Sequence, residues 1–461
     1  MKLPLKDWFD KTLGPSASKG VNQDANQGET LRRFLAKAVS GTFGFKILNV
    51  GLMYANSLLL VRLAGVSGYG EYSYIIAWAQ VLLIPAALGF EGLISRELAV
   101  YSARRNWANA KGLLGFSNGL VLLNSGLLAV AAVLGFWLFG LAEDVQSLWA
   151  FAIGMASLPF LALSRLRTAS LQAIKHVVAG QLPETIVRPG ILFVCLGGLF
   201  GLRFLNGANA LRLSGPAVMA INWVATAIAF YVGSLLLKRN LSADLQTSQP
   251  QHSRGLWFKA AMPMLLIGSM YVINGQTDSI MLGSLRDKAA VGVYTVANRG
   301  AGLISFVQIA FAASLAPVFA TLFAEGKLGE LKRAIRSSAR ATFLLSLAVA
   351  VGLVVCSHWF LLIFGREFLV GKTALFVLIG GQLVNAFTGA TAQLLIMTGY
   401  DRDTAMGVSI SAGVNVVLNA LLIPRYGMNG AAIATAISTV LWNVILVGFT
   451  YKRFKVMSTA L

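Results

Sequence analysis

At 461 residues the chain could hold two or three soluble domains, yet 56% of it is apolar, only 12% is charged and its mean hydropathy is +0.70. That balance excludes a soluble globular protein. The net charge of +20 invites a nucleic-acid reading, which the placement of the cations excludes.

A membrane-crossing helix needs about 20 predominantly apolar residues, and about twelve runs meet that criterion. They lie near residues 40–62, 72–95, 112–138, 147–170, 178–202, 214–237, 257–284, 290–322, 340–363, 373–398, 404–423 and 428–450. The predicted fold class is an all-α polytopic membrane protein; a β-barrel would show short alternating segments instead. Ahead of the first run, residues 1–34 form a tail without the apolar core of a signal peptide. Leu5, Trp8, Phe9 and Leu13 share a helical face beside Lys2, Lys6 and Lys11, which suits a short helix on the cytoplasmic leaflet; a disordered tail is the alternative. Residues 14–30, rich in Gly, Ser, Asn and Gln, read as linker.

Most of the 38 Lys and Arg fall in the tail and in loops on the same side, such as Arg104–Arg105–Lys111 and Lys327–Arg340. The opposite side holds fewer, among them Arg62, Arg286, Lys288 and Arg425. Under the positive-inside rule both termini are cytoplasmic. The basic balance is thus a topology signal, with attraction to anionic lipid heads as a secondary reading. Cys195 and Cys356 lie in apolar runs and suggest neither a disulfide framework nor a metal site.

The longest polar break, 239–255, divides the spans six and six. The predicted units are the tail 1–34, an N-terminal lobe 35–238, a cytoplasmic linker 239–256 and a C-terminal lobe 257–461. The halves look related. Gly68-Tyr69-Gly70-Glu71-Tyr72 matches Ala290-Val291-Gly292-Val293-Tyr294, and the same offset places Asn56 on Asp278 and Leu60 on Leu282. Thr168-Ala169-Ser170-Leu171 likewise matches Thr391-Ala392-Gln393-Leu394. Each repeat has an even number of spans, so both enter the membrane in one orientation. The result is two pseudo-symmetric six-helix lobes about an axis along the membrane normal, with a cargo path between them.

Charges inside a membrane mark cavities or partners. Lys46, Asn49, Met53 and Asn56 share one face of span 1, and Tyr271, Asn274 and Asp278 one face of span 7. Such stripes face a cavity, or bridge neighbouring helices. Arg299 is deep in span 8 between Asn298 and Gly300, and its planar fork suits phosphate oxygens. Arg188 sits among Pro183, Glu184 and Pro189, where prolines free carbonyls; pairing with Glu184 and a cavity role are both open. The candidate substrate-binding set is therefore Arg299, Lys46, Arg188, Asn49, Asn56 and Asn274. Asp278 and Glu184 are the candidates for ion coupling, with a salt bridge from Asp278 to Arg299 as the alternative for the former. Glu91 reads as interfacial.

His176, His252 and His358 are scattered without metal or catalytic spacing, and no GxxxxGK[ST] loop is present. The chain is therefore predicted not to be an enzyme and to need no cofactor, with energy drawn from an H+ or Na+ gradient, the membrane potential or the cargo gradient.

Pro424-Arg425-Tyr426-Gly427-Met428-Asn429-Gly430-Ala431-Ala432-Ile433-Ala434-Thr435 resembles the Pro-x-Tyr-Gly-x-x-Gly-Ala-Ala-x-Ala-Thr segment of bacterial polysaccharide transporters. These are the Wzx-type flippases of the multidrug/oligosaccharidyl-lipid/polysaccharide exporter superfamily. Gly70-x-Tyr72, Gly292-x-Tyr294 and Leu171-Gln172-Ala173-Ile174 are similar to that family too, over residues 35–453. The resemblance implies a V-shaped pair of lobes working by alternating access. It implies an undecaprenyl-diphosphate-linked oligosaccharide as cargo in the bacterial inner membrane, for O-antigen, capsule or exopolysaccharide synthesis. Implied partners are that lipid-linked oligosaccharide, membrane lipids, a polysaccharide polymerase and a chain-length regulator, and no nucleic acid. Alternatives are a multidrug/cation antiporter, disfavoured by Lys46 on span 1, and a lipid II flippase, which would have more spans. A membrane glycan polymerase or ligase would carry a large periplasmic loop. A non-transporting assembly scaffold is a further reading.

Overall fold

The computed structural model describes residues 25–205, 212–251, 253–455 and 458–460. The amphipathic pattern of residues 5–13 and His252 lie outside them. The first helix begins at Ala25, inside the stretch read as linker.

Among the described residues ten helices are long and apolar enough to cross a membrane. The first of them holds two spans. Within Ala25–Ala87 the backbone leaves helical geometry at Gly65 (φ 75°, ψ −178°), a conformation open to glycine, so span 1 ends and span 2 begins there. Arg254–Leu285 supplies span 7, which brings the spans to twelve. Spans 3 and 6 are Trp107–Leu138 and Gly215–Asn240. Spans 8, 11 and 12 are Lys288–Ala324, Asp401–Tyr426 and Met428–Phe454. Span 9 is Leu328–Val355; the run read as reaching residue 363 divides at Cys356, and Ser357–Phe364 forms a separate short helix.

Several spans are broken inside the bundle, and side chains of neighbouring spans cap carbonyls at the breaks in spans 2, 4 and 5. Span 2 contains Pro85, whose ring removes a donor; it ends at Ala87 and resumes as Phe90–Ala103. Asn124 of span 3 donates to the carbonyls of Pro85 (2.7 Å) and Ala86 (3.2 Å). Span 4 comprises Val145–Met155 and Leu158–Ala173, and span 10 comprises Lys372–Thr388 followed by Thr391–Met397. Span 5 runs through Val177–Leu182, a π-helical turn at Pro183–Val187, and Arg188–Leu205.

Spans 1 and 2 pack against spans 7 and 8, so the lobes meet along these four helices. The repeat explains the contact. Gly70 and Gly292, equivalent in the two halves, lie against each other's segments. A Cβ on Gly70 would stand 1.6 Å from the Lys288 carbonyl oxygen, and one on Gly292 would stand 2.7 Å from that of Val66. Only glycine lets the backbones approach so closely. The equivalent Leu60 and Leu282 are both buried.

The end of the bundle away from the chain termini is tied across the lobes. Arg62 donates to the Ile363 carbonyl (3.0 Å), and Tyr74 and Ser284 share a hydrogen bond (2.9 Å). Lys288, read from sequence as a loop cation, is 6% exposed. Its ammonium is compensated three ways: Glu143 at 3.3 Å, the Gly283 carbonyl at 3.1 Å and the Tyr74 ring face at 4.3 Å. At the other end the linker after span 6 is fastened to span 3, where Lys111 donates to the carbonyls of Gln246 (2.6 Å) and Ser248 (2.9 Å).

Candidate functional site

Span 1 stands between two arginines and presents a different face to each. Pro189 has no N–H, so the Thr185 carbonyl four residues earlier loses its helical donor. Asn49 fills that place, donating Nδ2 to Thr185 at 2.8 Å. Two turns further along span 1, Asn56 donates to the Pro189 carbonyl at 2.9 Å. Both asparagines, read as cavity residues, thus spend their amide groups holding span 1 to the broken part of span 5. Asn49→Ala should cost about 0.5–1.5 kcal/mol, the range for a buried interhelical hydrogen bond in a membrane. The check is thermal unfolding in detergent; an unchanged midpoint would show that the bond contributes nothing.

Beside this joint, Arg188 Nη1 lies 3.4 Å from Glu184 Oε2, and Nη2 donates to Asn222 Oδ1 of span 6 at 3.2 Å. The arginine and its carboxylate are mostly buried. Glu184 Oε1, Asn222 Nδ2 and Asn56 Oδ1 are also buried, and none has a hydrogen-bond partner among the described residues. This cluster therefore carries a charge-compensated pair and three unused polar atoms.

The other face of span 1 meets Arg299, which lies eleven residues into span 8, about 16 Å at 1.5 Å per residue. Its guanidinium donates to Ser57 Oγ and, at 3.4 Å, to the Met53 carbonyl, and stands 5.9 Å from the Tyr69 ring centroid. Tyr54 returns a hydrogen bond to the Arg299 carbonyl at 2.6 Å. No carboxylate pairs with Arg299 among the described residues. The salt bridge to Asp278 is not formed, because Asp278 is held elsewhere. Arg299 lines a cavity of about 390 Å³ together with Asn298, Ser305, Phe306 and Gln382.

Asp278 is 2% exposed and bound only by neutral donors. Tyr294 Oη (2.6 Å) and Thr435 Oγ1 donate to one carboxylate oxygen. Asn419 (2.6 Å) and Asn415 (3.3 Å) donate to the other. Spans 7, 8, 11 and 12 converge on this one carboxylate. Its repeat equivalent, Asn56, is neutral, so the lobes differ in charge at equivalent positions.

Lys46 and Asn274 are half-buried on spans 1 and 7 and join neither group among the described contacts. Glu91 faces Arg165 at 3.8 Å, both about half exposed, on a second cavity of about 420 Å³. Sequence reasoning missed the donors to Asp278 and the amides Gln308, Gln382, Asn385 and Asn443. A signal was present: Asn415 and Asn419 are one turn apart in an apolar span, and Tyr294 and Thr435 lie in the two motifs already singled out.

The model of the family described as polysaccharide biosynthesis protein matches residues 35–323. The chain belongs to that family. The MatE family model matches residues 263–421. Among curated relatives, the "Probable low-salt glycan biosynthesis flippase Agl15" of Haloferax volcanii is 24% identical over 438 residues, covering 91% of this chain and 85% of the relative. Among solved structures, the inward-facing conformation of a multidrug resistance MATE family transporter of the MOP superfamily aligns with a TM-score of 0.68 at 15% identity. It covers 88% of this chain and 94% of its own. The lipid II flippase MurJ, in its inward closed conformation, aligns at 0.63 and 16% identity, covering 89% and 86%. This polysaccharide biosynthesis family member is thus a multi-pass, all-helical membrane protein with the two-lobed fold of those MATE and MurJ structures.

Proposed function

We propose that this family member flips a diphosphate-linked oligosaccharide lipid from the cytoplasmic to the periplasmic leaflet of a bacterial inner membrane, for surface polysaccharide synthesis. Both termini are cytoplasmic on this reading, and the lobes alternate access to the path between them. The observation that carries it is Arg299: a guanidinium deep in a span, lining a cavity, with neutral hydrogen-bond partners and no carboxylate among the described residues. A part-buried cation deep in a span, with no counter-charge among the described residues, favours an anionic cargo, and a diphosphate supplies it. The names of the relatives, a glycan biosynthesis flippase and a lipid II flippase, support the same class. Lys46 and Arg188 serve along the route, and a polymerase with its chain-length regulator receives the product.

Asp278 is the proposed coupling group, binding H+ or Na+ within its cage of neutral donors, and Glu184 the second candidate. A carboxylate buried among uncharged groups gains from taking up a cation or proton. The test reconstitutes the protein in liposomes with a fluorescent diphosphate-linked oligosaccharide lipid and follows quenching from outside. Flipping of this lipid, accelerated by an imposed H+ or Na+ gradient, is expected. Asp278→Asn should reduce that acceleration about tenfold, the weight of one lost pairing of a buried charge. Unchanged gradient dependence would remove Asp278 from the mechanism, and absence of any flipping of the diphosphate lipid would remove the function.

A further inference from the structure

The cavity beside Arg299 has a second polar wall, built from amides. Gln382 of span 10 lines it, and its Oε1 accepts from Ser305 Oγ at 2.8 Å and from Asn385 Nδ2 at 3.4 Å. With the oxygen occupied from two sides, the orientation of the amide is set. The Nε2 of Gln382 then remains as a donor on the cavity side, and no described group accepts from it.

The wall is braced from behind. Asn385 Nδ2 donates to Gln308 Oε1 at 2.7 Å, and Gln308 Nε2 donates to the Gln382 carbonyl at 3.3 Å. Asn443 of span 12 donates to Asn385 Oδ1 at 3.0 Å, and its own Oδ1 accepts from Thr388 at 2.5 Å. Amides that only glue helices together satisfy one another. This set does so until its last member, Gln382, whose Nε2 has no acceptor among the described residues and which lines the same cavity as Arg299. Such a locked network rigidifies the group it presents.

We infer that Gln382 reads the saccharide: its Nε2 donates to a hydroxyl or acetamido oxygen of the first sugar, while Arg299 holds the adjoining diphosphate. This rests on the flippase reading above. The division of labour follows from the chemistry. The guanidinium offers a charged fork matched to phosphate oxygens, whereas a neutral amide of fixed orientation suits a neutral sugar oxygen.

The test measures binding of two probes to the purified protein: a polyprenyl diphosphate, and the same lipid carrying one N-acetylglucosamine. The wild type should prefer the glycosylated lipid. Gln382→Ala should weaken the glycosylated lipid about tenfold, the weight of one buried hydrogen bond, and leave the bare lipid unchanged. Gln382→Glu keeps an acceptor for Ser305 and Asn385 and removes the cavity donor. It should abolish the preference even if the alanine variant folds poorly. The ratio of the two affinities is the readout, since general damage lowers both together. An unchanged ratio in both variants, whether both lipids weaken equally or neither does, would overturn the assignment. If instead Arg299→Ala leaves the bare lipid bound as before, the diphosphate reading fails, independently of Gln382.

Discussion

Arg299→Ala should abolish glycan export while leaving the protein inserted in the membrane. The guanidinium contributes nothing to the neighbouring backbone that water or Ser57 cannot replace, since its partners are a hydroxyl and one carbonyl at 3.4 Å. What it supplies is charge in a place where charge is expensive. A charge-assisted bond to a diphosphate oxygen contributes about 1.5–3 kcal/mol, which corresponds to a loss on the order of a hundredfold in transport rate. Arg299→Lys retains the charge without the fork and should recover part of that loss. Complementation of a host lacking its own flippase, with the membrane level of each variant measured in parallel, gives the answer. Normal export by the alanine variant would leave the cavity without a reason to attract an anion.

Gly70→Ala should destabilise the whole bundle. The new methyl would sit 1.6 Å from the carbonyl oxygen of Lys288, and the obstacle is backbone, which has no rotamer to adopt. Overpacking of side chains costs about 1–3 kcal/mol, and a clash with main chain belongs at or above the upper end. Gly292→Ala should act in the same direction, with its Cβ 2.7 Å from the Val66 carbonyl oxygen. Gly190→Ala is the matched control, because nothing lies within 4 Å of its Cβ. Alanine is the better helix former there by about 1 kcal/mol, so that variant should melt no lower than the wild type. Thermal unfolding of the three proteins in one detergent compares them directly, and equal midpoints would refute the close contact.

The spans were legible because each needs a long apolar run, and the bilayer permits few other solutions. Their interruptions were less so. Cys356 carries no strong local stop signal; after Ala87 the break has Pro85 and the left-handed Gly89 beside it, and Asn124 of span 3 caps the carbonyls it frees. The repeat was legible at Gly70 and Gly292, and the fold makes those two positions meet. The polar stripe on span 1 was legible as a stripe, but spacing along one helix cannot tell a partner helix from a cavity. Asn49 turned to span 5 because Pro189 left a carbonyl open there. Asp278 was legible as a buried carboxylate, whereas its donors come from three other spans, and those from spans 11 and 12 lie 137 to 157 residues away in the chain.

The glycine contact between the lobes also bears on how they move. Two stretches of main chain, one from each repeat, meet there glycine to glycine, and a contact made by backbone rather than by branched side chains tolerates rotation. Such a point works as a fulcrum. On the flippase reading, bending about it would part Arg62 from Ile363 at the edge of that end, while Lys288, whose carbonyl meets Gly70, stays with the two glycines.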